Sequence, residues 1–250
     1  MYDETLSRQF GKPPENDQAR IWRYMNLFAL LQMLQTETKT LFFPSVATLA
    51  KIDPFEGRWN SEEAPVVRAG LKASFSKQLE MDPGIAENPG FLEMDHAALL
   101  EEANRKLVYV NCWHQNRDES AAMWAIYAAK HGVALQSRVG LLKSAFAVEE
   151  RPIAICRVDY RTSRGMKDSI ISLALRKRGS FSHEMELRAL IVPEPSDGVG
   201  IPVKVDLGVL IEKVYLSPHS AAWMLDVVRT ELRRHGLDKP VATSTLYDLA

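Results

Sequence analysis

Cysteine is scarce in this chain. Its 250 residues include two, Cys112 and Cys156, both in apolar strand-like runs. That is too few for a disulfide framework and fits two buried thiols in a reducing compartment. An excess of charge of one sign is also missing: 31 Lys and Arg stand against 32 Asp and Glu, a formal net charge of -1. No whole-molecule field therefore draws the chain to nucleic acid or to an anionic membrane, although local basic patches stay open. Long hydrophobic runs are absent as well. The longest, 121–129 and 187–192, fall well short of the roughly 20 residues that cross a bilayer. The start Met1-Tyr2-Asp3-Glu4 has no basic leader. Neither a membrane span nor export is expected, and the expected location is the cytoplasm. What is present, 46% hydrophobic and 25% charged residues, suits a soluble globular chain able to bury a core.

Residues 1–20 are polar and contain Pro13-Pro14, which reads as an N-terminal arm, loosely attached, ahead of a single domain over 21–250. Strand signals fall at Ile21–Tyr24, Leu41–Phe43, Leu107–Trp113, Val133–Gln136, Ile153–Tyr160, Glu184–Val192, Ile201–Asp206, Lys213–Leu216 and Val241–Leu246. Helical spacing marks Leu27–Leu34, a turn after Pro44-Ser45, Glu119–Lys130, Lys167–Arg176 and Ser220–His235, the last with a hydroxyl cap offered by Ser217 to Ser220. Between Asn60 and Lys106 the pattern is helical but broken at Asp82-Pro83-Gly84 and Asn88-Pro89-Gly90, the mark of a helical insertion. Strands and helices without a strict alternation predict an α+β fold, with a central mixed, mainly antiparallel sheet and flanking helices.

Three blocks concentrate side chains that could do chemistry. They are Asp53-Pro54-Phe55-Glu56-Gly57, then Asn111-Cys112-Trp113-His114 with Met123-Trp124 and Tyr127, and finally Glu184-Met185-Glu186-Leu187-Arg188. On a strand, Glu184, Glu186 and Arg188 would share one face about 6.6 to 7 Å apart. Two carboxylates beside a guanidinium can orient a hydroxyl or stabilise a developing cation. The plain alternative is a solvent-facing strand laced by an ion pair. Cys112 and His114, two apart, could pair as thiolate and imidazole, or the thiol could be an inert core group. Trp113, Met123, Trp124 and Tyr127 read as one aromatic-sulfur cluster, either core packing or a wall for a base. Asp53 to Gly57 reads first as a structural turn, in which Asp53 or Glu56 could cap backbone or meet an arginine. Arg176-Lys177-Arg178 reads as a solvated basic helix end that could also receive a phosphate. His96, His131, His183, His219 and His235 are scattered, so no metal site is expected.

Together these blocks resemble a bacterial family catalogued as domain of unknown function 2971. The resemblance rests on Arg23-Tyr24, Asp53-Pro54-Phe55-Glu56, Cys112-Trp113, Met123-Trp124 with Tyr127, Lys177, and Glu184, Glu186 and Arg188, and it spans 21–246. Ile52, His114 and Phe181 depart from the family's usual Asn, Ser and Trp. The late Glu-x-Glu with a basic residue on the first strand is also similar to the arrangement in ADP-ribosyltransferases. That resemblance implies Glu186 as the catalytic carboxylate and Glu184 as its helper. It implies Arg23 as a contact to the dinucleotide NAD, and Tyr24 or Tyr127 as a ring stacking on nicotinamide. The hydroxyl-rich strand of that superfamily has no counterpart beyond Ser45.

Two functions stand as expectations. In the first, NAD or another nucleotide binds where Arg23, Glu184, Glu186 and Arg188 converge, and ADP-ribose is transferred or NAD is cleaved. In the second, the same polar face is a non-catalytic module that recognises a protein or nucleic acid, as in defence against phage. Oligomeric state is left open.

Overall fold

Apolar alternation on both faces of the central strands accounts for the architecture. The computed structural model describes residues 1–35, 37–81, 94–128, 131–160, 171–193 and 198–248. Among them, nine strands alternate irregularly with helices. The strands are β1 (Arg20–Asn26), β2 (Thr40–Pro44), β3 (Tyr109–His114), β4 (Gly132–Arg138), β5 (Ala154–Arg157), β6 (Glu186–Ile191), β7 (Gly200–Lys204), β8 (Lys213–Leu216) and β9 (Val241–Thr243). Seven form one sheet in the order β5-β6-β3-β1-β4-β8-β9, while β2 and β7 make a separate two-stranded sheet. Every pair is antiparallel except β8 with β9. The fold is α+β, as the sequence pattern predicts.

The helices are α1 (Glu4–Phe10), α2 (Leu27–Gln35), α3 (Val46–Leu49), α4 (Glu63–Met81), α5 (His96–Leu107), α6 (Ala121–Met123), α7 (Val139–Ala145), α8 (Leu207–Leu210) and α9 (Met224–Arg234). The breaks expected at Asp82-Pro83-Gly84 and Asn88-Pro89-Gly90 lie outside the described residues, as do Lys130 and the start of the helix expected from Lys167. Its remainder is a 3-10 turn, Ser172–Leu175.

One face of the large sheet carries Ile21, Tyr109, Trp113, Leu135, Ile155 and Leu187, which belong to the main core. On the other face lie two smaller apolar clusters. Trp22, Tyr24, Met123 and Trp124 form one; Val110, Ala154, Cys156 and Leu190 form the other. The side chains lying between them in the sheet on this face, Cys112, His114, Glu186 and Arg188, are polar or reactive, and a site is built there.

Several local expectations are corrected by packing. The segment read as a loose arm contains α1, which docks on β5: Ser7 is buried, its hydroxyl accepts from the Ile155 amide at 3.0 Å, and the Cys156 thiol donates to its carbonyl at 3.2 Å. Trp113 leaves the expected aromatic-sulfur cluster, because its strand position points it into the main core. The hydroxyl cap offered by Ser217 to Ser220 is not used, since α9 starts later with Trp223 as N-cap and no side-chain cap bond.

The turn after α3 is set by glycine. Gly57 has φ of 69°, and a Cβ there would meet Asn104 Oδ1 and Val46 Cγ1, each at 2.7 Å. Both the left-handed backbone and the close approach require Gly. Replacing it as Gly57→Ala is expected to lower stability by about 2–3 kcal/mol, through strain and overpacking together. Urea unfolding measures this, and a midpoint equal to wild type would contradict it.

Candidate functional site

A cavity of about 350 Å³ opens on the polar stretch of the sheet, inside the range of about 300–1,000 Å³ usual for small-ligand sites. Its wall includes Arg23 and Tyr24 from β1, Tyr127 from the segment after α6, and Glu184, Glu186 and Arg188 from the β6 region. All six residues singled out from the sequence thus meet in one place. Arg23 and Glu186 share a cleft.

The Glu-x-Glu-x-Arg alternation is broken at its first step. β6 begins at Glu186, and Glu184 ends a 3-10 turn, Gly179–Glu184. Met185 between them is left-handed, with φ of 44°, a costly conformation for a residue with a Cβ. Nor is the face solvated: Glu184, Glu186 and Arg188 are 2%, 4% and 0% exposed. A solvent-facing ion pair is therefore replaced by a buried network.

Arg188 holds that network. Its Nε and Nη2 donate to Glu186 Oε2 at 3.0 and 2.7 Å, and its Nη1 and Nη2 donate to Glu56 Oε2 and Oε1 at 3.0 and 2.7 Å. Nη1 also donates to the Ala174 carbonyl at 2.6 Å. A guanidinium has five N–H donors, and all five are used within the protein, so Arg188 keeps none for a ligand. Glu56, read from the sequence as part of a structural turn, is the site residue that sequence reasoning underrated. Its signal was the acidic residue inside a glycine-ended turn.

Lys177 completes the cluster and is 7% exposed rather than solvated. It pairs with Glu184 and lies 3.6 Å from Glu186 Oε1 and 3.8 Å from Glu56 Oε1. Burial works to raise the Glu186 carboxyl, but Arg188, Lys177 and His114 together hold it down at about 2. Glu186 is therefore an ionised base, not an acid. Its Oε2 is occupied by Arg188, whereas Oε1 receives no hydrogen bond among the described residues and has Lys177 at 3.6 Å. Glu184 has both oxygens engaged, Oε1 by the Tyr127 hydroxyl at 2.9 Å and Oε2 by Lys177.

Tyr127 owes its place to local backbone. The helix predicted from Glu119 becomes a π-helical turn over Trp124–Ala128, a form enriched at functional sites. The wider turn separates Met123, buried under the sheet, from Tyr127, which is 39% exposed and reaches Glu184. They do not form one packed face. The Tyr24 ring lies edge-on to Trp124 at 5.1 Å, and its hydroxyl accepts from the Ser120 amide at 2.9 Å.

β1 meets β3 at one register pair, Trp22 opposite His114. Nearby, Arg23 Nη1 donates to the Cys112 carbonyl at 2.8 Å. No carboxylate lies within 4.0 Å of its guanidinium among the described residues, and burial lowers its pKa. A guanidinium in a cavity wall, with no carboxylate that close among the described residues, can pair with an anion. His114 sits between the Tyr127 and Tyr24 rings, at centroid distances of 5.3 and 5.9 Å. Burial lowers its pKa against the pull of Glu186, so the neutral ring donates from Nδ1 to the Glu184 carbonyl at 2.8 Å. Cys112 is pushed up to about 12 by burial, with Glu186 adding to the effect. It is a thiol and no nucleophile at neutral pH. Among the described residues no group of three His, Cys, Asp or Glu is placed to hold a metal ion, and no helix is long and apolar enough to cross a membrane.

No family model matches the chain, and no curated protein matches it. The resemblance to the domain of unknown function 2971 family therefore rests on its motifs alone. Among solved structures the chain is similar to "Thermus sp. 2.9 DarT in complex with ADP-ribosylated ssDNA", at 11% identity and a TM-score of 0.42, over 93% of this chain and 95% of that one. A likeness of this degree carries no argument about chemistry, and the site stands on its own geometry.

Two outcomes are expected. Arg188→Met would leave Glu56 and Glu186 buried with Lys177 as their remaining cation, costing about 3–5 kcal/mol in stability; a loss under 1 kcal/mol on chemical denaturation would contradict the network. The depressed Glu186 carboxyl contributes stability that is fully present above its ordinary value of 4.5 and is lost as pH falls towards about 2. Glu149, brought to about 2 by Arg151 and backbone amides although burial opposes it, acts in the same window. The informative quantity is thus the difference between wild type and Glu186→Gln, whose unfolding free energy should fall less steeply between pH 5 and pH 2.

Proposed function

We propose that this cavity binds NAD and that the protein transfers or releases its ADP-ribose, with Glu186 as the catalytic carboxylate. One observation carries the reading: the cation of Arg23 and the ionised Glu186, whose Oε1 accepts no hydrogen bond among the described residues and has only Lys177 nearby at 3.6 Å, line the same cavity. Arg23 meets the pyrophosphate. Glu186 Oε1 accepts from a hydroxyl of the nicotinamide ribose. Glu184, held by Lys177 and Tyr127, orients that end, and the Tyr24 or Tyr127 ring walls the nicotinamide. Arg188 contributes by fixing Glu186 rather than by touching the ligand.

In the reaction the bond between the ribose anomeric carbon and the nicotinamide nitrogen breaks, and its electron pair returns to the pyridinium ring, which leaves neutral. Positive charge develops on the ribose, where a fixed anion stabilises it without reorganisation. Water or an acceptor nucleophile supplies the electron pair for the new bond and releases its proton to solvent. Removing the anion while keeping its shape should cost about 10²–10³ in rate, by analogy with other preorganised electrostatic groups.

The test is proton NMR of NAD with the purified protein, following saturation transfer for binding and free nicotinamide for turnover. Wild type should release nicotinamide, Glu186→Gln should bind but release about 10²-fold more slowly, and Arg23→Ala should lose binding. Equal release by Glu186→Gln would remove the carboxylate from the mechanism.

A second reading is favoured by the rim, where Ile52 and Ile126 are 87% and 57% exposed. Exposed apolar groups around a cavity mouth suit a macromolecular partner, and a recognition module would use them without turnover. Such a module would bind its partner equally well as Glu186→Gln, and would release no nicotinamide.

A further inference from the structure

At the β9 edge of the large sheet, away from the cavity wall on β1, β3 and β6, a groove of about 520 Å³ runs between α9 and β9. Lys213, Arg229, Arg233 and Lys239 line it against a single carboxylate, Asp238. Four cations against Asp238 in the lining, with Asp226 beside Arg229, leave an excess of positive charge in one concave place of a chain whose net charge is -1. They come from three separate elements: β8, α9 and the turn before β9.

Their existing partners leave the donors available. Arg229 Nη2 donates to the Val241 carbonyl at 3.2 Å, which anchors the side chain, while its Nη1 lies 3.6 Å from Asp226. Arg233 Nε lies 3.6 Å from Asp238, too far for a hydrogen bond. Both carboxylates are largely solvated, at 84% and 91% exposure. Lys239 has no carboxylate within 4.0 Å among the described residues, and Lys213 rests 4.4 Å above the Tyr215 ring.

We propose that this groove binds the phosphate backbone of a nucleic-acid strand. Phosphates recur at a regular spacing, and each can bridge neighbouring cations or accept a guanidinium through two oxygens. A peptide carboxylate would only exchange for Asp226 or Asp238, like for like. The lining holds no aromatic ring on which a base could stack, so contact is through the backbone and independent of sequence. The groove does not depend on the NAD reading of the cavity.

The experiment is fluorescence anisotropy of a labelled single-stranded oligonucleotide of mixed sequence, titrated with the full chain from about 50 to 200 mM salt. The logarithm of the binding constant should fall linearly with the logarithm of salt. The double variant Arg233→Gln with Lys239→Gln alters two surface side chains, and circular dichroism checks that the fold is kept. It should bind about tenfold more weakly or worse, and should lose roughly 1.4 from the magnitude of the slope, about 0.7 for each phosphate contact to a single strand. Glu186→Gln should bind as wild type does, which separates the groove from the cavity. The proposal is overturned by absent or salt-independent binding, by a double variant that binds like wild type, or by polyglutamate competing as well as the oligonucleotide.

Discussion

The structure of the site depends on one buried guanidinium. Arg188 ties Glu186 on its own strand to Glu56, 132 residues earlier in the chain, and saturates every donor it has. Ion pairs this deep are seldom a net source of stability, because desolvating three charges offsets most of their attraction. Their value is geometric. The fork of Arg188 fixes two carboxylates, ties the Asp53 to Gly57 turn to the sheet, and leaves one oxygen of Glu186 without a hydrogen bond among the described residues. Lys177 then offsets part of the remaining negative charge.

Around that fixed point the fold supplies contrast. Apolar clusters on either side of the polar stretch exclude water and strengthen every charge interaction between them. The same burial has opposite effects on neighbours. It keeps His114 neutral and Cys112 protonated, while Glu186, with cations in reach, stays ionised. Three titratable groups near one another on two paired strands are thus driven to three defined states, the condition for a site with assigned roles.

Backbone irregularities sit where the site is made. Met185 turns left-handed just before β6, Trp124–Ala128 winds as a π-helix, and β1 parts from β3 after one register pair. Beside each stands a polar side chain of the cavity wall: Glu184, Tyr127 and Arg23 respectively.

Composition and periodicity were enough to establish an α+β chain with a mainly antiparallel sheet, because apolar spacing reports which faces are buried, element by element. Residue type also marked Arg23, Tyr24, Tyr127, Glu184, Glu186 and Arg188 as worth attention. Tertiary structure alone decided that they meet, that Glu56 and Lys177 join them, and that Arg188 is spent on internal bonds. It also decided that Trp113 belongs to the core and that the segment before β1 is docked on β5. The reason is the range of the forces involved. Hydrophobic period is local and can be read along a chain, whereas ion pairing and desolvation depend on what other segments bring within a few ångströms, which no local window contains.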